Sequence, residues 1–176
     1  MKLDQRNGNT KWQEAVDTEY ELVVIEYEAF IDKGKFSIEK IPDGYKLIKV
    51  HMVFDVKPDG RHRGRLVADG HLTDIPLESV YSGVVSLKGL RACIFLGELN
   101  GMEAWGTDIS SAYLCAKTSE KVCIRAGPEF GPLAGHLLII DKALYGLKSS
   151  GRQFNHQLQD VLTTLDFKQS RAEDSI

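Results

Sequence analysis

"YKLIKVHMVFDVKPDGRHRGRLVAD", residues 45–69, is the stretch on which the fold turns. Ile48, Val50, Met52, Phe54 and Val56 recur at every second position, and the other face is more polar. A period of two places alternate side chains on one side of a strand, so this reads as a half-buried β-strand. Pro58-Asp59-Gly60 is a turn, and "RHRGRLVAD" returns as the hairpin partner. On that partner Arg61, Arg63 and Arg65 share one face by the same alternation. Two readings of the arginines stand open. They form a solvated edge that discourages further strand pairing, or an anion site, because a guanidinium grips phosphate with a rigid fork of donors.

Working outward, residues 1–9 are polar and expected to be an unstructured lead. Thr10 and Gln13 read as a capping box that opens a helix over 11–30, ended by Gly34. Pro42-Asp43-Gly44 is a turn before the strand, and 70–85 is loop. "SLKGLRACIFLGELNG", 86–101, predicts a buried helix capped by Ser86 and stopped by Asn100-Gly101. Residues 104–108 are expected as a short strand, 110–116 as a short helix, 121–126 as a strand and 127–135 as a Gly/Pro loop. Residues 136–144 predict a further strand. "YGLKSSGRQF" then leads into a helix to about 165, with Leu158, Val161, Leu162 and Leu165 as its inner face. Strands and helices without strict alternation imply the α+β class.

Composition narrows the functional classes. The chain has 176 residues, 43% hydrophobic and 27% charged, which suits one globular domain. No apolar run reaches the roughly 18 residues of a membrane span, and the N-terminus has no signal-like apolar core. An intracellular, non-membrane chain is expected. Three cysteines without a C-x-x-C pair argue against a disulfide framework or a zinc site, so the thiols are expected to be reduced and mostly buried. The net charge of −3 hides one basic segment: residues 35–65 hold 8 basic and 4 acidic side chains. Nucleophile motifs, histidine ligand spacings and phosphate-binding glycine loops do not occur. "WGTDISSAYL", 105–114, leaves Asp108 as either a helix N-cap or a metal ligand.

Trp12 and Ala15, "VFDVKPDG", "RGRLVADG" (63–70), "DISSAYL" (108–114), "LYGLKSSGRQF" (144–154) and "SRAEDS" (170–175) stand in an order that resembles the reverse transcriptase of copia-type LTR retrotransposons. Each motif alone is weak; the ordered set, spanning roughly 11–176, is specific. The resemblance implies the fingers and an incomplete palm of a right-hand polymerase. After the lead at 1–9 it implies one domain over 10–176, with fingers at roughly 10–85 and 115–144 and partial palm at roughly 86–114 and 145–176. It also implies an RNA-directed DNA polymerase that uses an RNA template, a DNA primer, deoxynucleoside triphosphates and Mg²⁺.

On the family's pattern Asp108 is the catalytic carboxylate and metal ligand. Arg63 and Arg65 meet the incoming triphosphate, and Tyr113 lies under the sugar. Gly146, Lys148 and Arg152 line the nucleotide and template pocket. Gly64 stands where the family has alanine, Arg63 where it has lysine, and Gly151 where it has proline. The family's aromatic-x-Asp-Asp motif is not found before Ile176. A fragment inactive alone is therefore expected, needing the remaining palm, thumb and RNase H regions or a dimer partner. The alternative is a non-catalytic remnant that binds nucleic acid through its basic hairpin. The family's location implies a cytoplasmic particle or the nucleus.

Overall fold

The computed structural model describes residues 2–73 and 80–170. It is a mixed helix and sheet structure, as the α+β expectation required. A four-stranded sheet runs in the order β1 (Phe30–Lys35), β6 (His136–Ile140), β5 (Val122–Arg125), β2 (Lys46–Ile48), and β3 (Val50–Val56) with β4 (His62–Ala68) makes a separate two-stranded sheet. β6 is antiparallel to both neighbours, whereas β2 and β5 run parallel.

The hairpin is as the alternation predicts, with Val53 opposite Arg65 and Asp55 opposite Arg63. The strand expected over 45–57 is instead cut at Lys49. Ile48 pairs with Ile124 in the large sheet, while Val50 pairs with Ala68 in the small one. One continuous alternating pattern thus serves two sheets, which a local period cannot reveal.

β6 reads His-Leu-Leu-Ile-Ile because both its faces are covered. Leu138 and Ile140 join the main core with Val122, Ile124, Leu66, Leu114, Phe130 and Leu144. Leu137 and Ile139 face the other way, with Cys123, against Phe36, Ile41 and Tyr45. Phe130 sits in a 3-10 turn, Pro128–Leu133, where a loop was expected.

The N-terminus departs from expectation. Residues 2–7 form a helix, α1 (Lys2–Asn7), whose Asp4 is only 4% exposed. Its carboxylate accepts the Trp12 and Gln13 backbone N–H groups at 3.0 and 2.9 Å. Asp4, not Thr10, therefore caps α2 (Lys11–Tyr20); the Thr10 hydroxyl bonds Glu14 and caps no backbone. α2 ends sooner than predicted. The β-branched run Val23-Val24-Ile25 suits a helix poorly, and the ladder widens into a π turn over Glu21–Glu26. Glu28 then turns left-handed at φ 47°, and β1 begins at Phe30, with Gly34 inside it.

Helix α3 (Leu87–Leu99) has its predicted cap, the Ser86 side chain accepting from Gly89 N–H at 3.0 Å, and it stops at Asn100. It is not buried: no residue of α3 is in the core. The segment 104–108 is not a strand but exposed irregular chain, and only Ala112–Cys115 of the short helix forms, as a 3-10 turn. In α4 (Ser150–Thr164) the expected inner face is largely outside, with Val161, Leu162 and the following Leu165 exposed. Of the cysteines only Cys123 is buried; Cys93 and Cys115 are exposed, which corrects the expectation of buried thiols. Among the described residues no helix is long and apolar enough to cross a membrane. Most of the Ser…Asp segment at 170–175 lies outside the described residues.

Candidate functional site

β4 alternates Gly64, Leu66 and Ala68 inward, so Arg63, Arg65 and Val67 face the other way. They form one wall of an open cleft of about 1250 Å³. Tyr145 and Gly146 stand beside them because β4 pairs on with that segment: Val67 bridges Tyr145, and Ala68 N–H donates to Tyr145 O at 2.8 Å. Asp108, Ser110 and Ser111 close another side, and Lys11, Glu14 and Glu19 of α2 supply a third.

Two glycines make this junction possible. A Cβ on Gly70 would lie 2.2 Å from Gly146 O, and one on Gly146 would lie 2.0 Å from Ala68 O. Gly146 also holds φ at 91°, where other residues are strained. Side chains at either place would push the cleft wall away from the arginine strand.

Within the cleft the arginines differ. Arg61 is clamped in the turn, its Nε and Nη2 both 2.7 Å from Asp59 Oδ2. Arg63 and Arg65 lie in the field of Glu19, whose Oε1 accepts the Leu66 N–H at 2.8 Å on the outer edge of β4. Burial pushes the Glu19 carboxyl above its ordinary range, while the Leu66 N–H and the charges of Arg63 and Arg65 pull the other way. Nothing in a mid-helix glutamate signalled that role in the sequence.

The Asp108 stretch ends in a sharp bend. Ser111 is left-handed at φ 52°, ψ 36°, uncommon for a residue with a Cβ, and it bends the chain from Asp108 into the Ala112–Cys115 turn. Asp108 itself is exposed and does not cap that turn.

The structure gathers part of the predicted set. Arg63, Arg65, Asp108 and Gly146 line one cleft, although they are drawn from three distant stretches of chain. Tyr113, Lys148 and Arg152 are not among its lining residues. Tyr113 packs on Tyr145 with ring centroids 4.9 Å apart, and on Phe154 at 6.3 Å. The Lys148 ammonium donates to Thr73 O at 2.6 Å. Arg152 is half-buried in the first turn of α4.

The fit to a divalent ion is poor. Mg²⁺ asks for several hard oxygens in octahedral array. Asp108 shares the cleft lining with Glu14, Glu19 and Asp59, but Glu14 bonds Thr10, Asp59 holds Arg61 and Glu19 is committed to the Leu66 N–H. Among the described residues no three His, Cys, Asp or Glu side chains converge as ligands.

Comparison with known proteins supplies the remaining findings. A family model described as "Reverse transcriptase (RNA-dependent DNA polymerase)" matches residues 33–176. The Transposon Ty1-BL Gag-Pol polyprotein of Saccharomyces cerevisiae is 32% identical over 133 residues, covering 74% of this chain and 8% of that protein. The Truncated transposon Ty1-A Gag-Pol polyprotein of the same yeast is 32% identical over 133 residues, 11% of its length. The chain thus spans about a tenth of the curated relatives it matches. No solved structure matches it.

Proposed function

The chain belongs to the reverse transcriptase (RNA-dependent DNA polymerase) family of copia-type retrotransposons, and from that premise we propose that its cleft is the phosphate-gripping side of the polymerase site. The supporting observation is the convergence of Arg63, Arg65, Asp108 and Gly146 on one open cleft. The arginines supply fixed charge and forked donors for phosphate oxygens. Gly146 leaves the backbone bare for close approach. In this reading the region built on β1–β6 is the fingers, and α3, the Asp108 stretch and α4 are part of the palm.

Asp108 is proposed as one carboxylate of the metal site of the complete domain. Tyr113 would stand on the sugar side, with Lys148 and Arg152 behind it. Tyr113, Lys148 and Arg152 lie back from the cleft, so they act in this reading by supporting its wall. Because the residues described do not fit Mg²⁺ by themselves, no chemical step is assigned to the ion here. The substrates proposed for the complete enzyme are an RNA template, a DNA primer and deoxynucleoside triphosphates.

Binding tests the first part. Affinity of the chain for an RNA–DNA hybrid should fall with salt, and replacing both Arg63 and Arg65 by alanine should lower the slope of log K against log salt by about 1–2. Equal slopes for variant and parent would remove the arginines from the site. Primer extension tests the second. The purified chain with Mg²⁺ should extend no primer, whereas robust extension would show that Asp108 does not need carboxylates from elsewhere. The lack of three converging metal ligands among the described residues favours one second reading, a non-catalytic remnant that binds nucleic acid through the same cleft.

A further inference from the structure

Glu120, in the connection before β5, is the one carboxylate among the described residues that bonds to both backbone turns flanking the cleft wall. Its Oε1 accepts both the N–H and the hydroxyl of Ser149 at 2.8 Å. Its Oε2 lies 3.2 Å from the Thr73 hydroxyl, which shares its proton with Gly70 O at 2.7 Å. Ser149 is only 3% exposed and immediately precedes α4, so the carboxylate also sits at a helix N-terminus, where negative charge is favoured. Lys148 closes the same ring from its side through Thr73 O. Ser119 accepts from the Gln153 amide at 2.9 Å, tying the neighbouring residue to the next turn of α4.

Between the two turns lies the contact with no spare room, Gly70 against Gly146. The link therefore braces, from the far side, the junction at which Tyr145 and Gly146 pair with Val67 and Ala68 beside the arginines. A charge-assisted hydrogen bond shared by two segments sets their spacing more firmly than packing of exposed turns does. We propose that Glu120 is a positioning residue of the cleft: it holds the Tyr145–Gly146 wall in register with the arginine strand and so sets phosphate-ligand affinity without touching ligand. This rests on the reading of the cleft as a phosphate site.

The test uses the whole chain, an RNA–DNA hybrid as probe, and hydrogen exchange of the amides in 68–73 and 145–150. Glu120→Ala should weaken hybrid binding about tenfold, the scale of a lost charge-assisted bond, with the parent's salt slope, because no phosphate contact is removed. Exchange should quicken in both segments together. Glu120→Gln should fall between the parent and Glu120→Ala, since its amide oxygen still accepts from Ser149 but without the carboxylate's charge. Thr73→Val, which cuts the second arm together with the hydroxyl's bond to Gly70 O and leaves Ser149 paired with Glu120, should move binding and exchange the same way by less, and it carries the test should Glu120→Ala not fold. Parent-like binding in both Glu120→Ala and Thr73→Val would overturn the proposal, as would a Glu120→Gln as weak as Glu120→Ala. Arg65→Ala separates the two claims: if it binds like the parent the phosphate reading fails, while paired exchange still reports the Glu120 link.

Discussion

Two apolar stretches of similar composition meet opposite fates in this molecule. "HLLII" in β6 is almost wholly buried, with Leu137 and Leu138 at 0% exposure. "LKGLRACIFLGEL" in α3 carries as many large apolar groups, yet Phe95 is 66% and Leu99 69% exposed, and Trp105 just beyond is at 89%. The difference is not propensity, since both elements form where the sequence predicts them. β6 has β1 and β5 as hydrogen-bonded neighbours and a layer on each face. α3 has no such layer among the described residues. A helix with large apolar groups around most of its circumference is written for burial against other elements, so its sequence states a requirement that the described residues leave unmet. The second half of α4 shares the condition.

That contrast can be broken by truncation. Leu138→Ala should cost about 2–5 kcal/mol in urea-induced unfolding. Phe95→Ser should change stability by no more than about 0.5 kcal/mol. Comparable losses would mean that α3 is covered in solution, and the contrast would fall. The close backbone contact beside the cleft is tested next. Gly146→Ala should cost about 1–3 kcal/mol from overpacking alone, with added strain at positive φ. A Tm unchanged from the parent would show that the Gly70–Gly146 contact is loose.

Smaller effects sharpen the picture of the packed half. Asp4→Ala should destabilise by about 1 kcal/mol through loss of the α2 cap, and Thr10→Ala by clearly less; the reverse order in thermal melts would restore the local capping box. Smallest is a pH effect. The raised Glu19 pKa means that the folded chain holds this proton more tightly than the unfolded one. Its contribution to stability is therefore fully present below the ordinary carboxylate pKa and is lost as pH rises through the folded value. Glu19→Gln keeps an acceptor for Leu66 N–H without the charge. Its Tm relative to the parent should be higher at about pH 7 than at about pH 4, where Glu19 is itself largely protonated. A difference independent of pH would leave burial of the charge without effect.

Arg63, Arg65, Asp108 and Gly146 could be named from the sequence because they sit in short patterned runs. The alternation of Arg63 and Arg65, the Ser86 cap and the Asn100-Gly101 stop are local chemistry, while the family came from the resemblance of the ordered motifs around Asp108 and Gly146. Glu19, Tyr145 and Glu120 escaped because each acts on a segment far away in sequence: Leu66, Ala68 and Ser149. Asp4 escaped for the same reason in miniature, since a carboxylate eight residues upstream replaced the adjacent threonine as cap.

The sequence by itself determined the hairpin, the class of fold and most elements, because turn chemistry and residue period are properties of neighbours along the chain; the family came from the resemblance of its ordered motifs. Only the tertiary structure decided that one alternating run is shared between two sheets, that α3 lies uncovered, and which predicted residues face a common cleft. Those outcomes depend on which surfaces meet, and burial, close backbone approach and charge pairing are energies of contact between segments that no local pattern encodes.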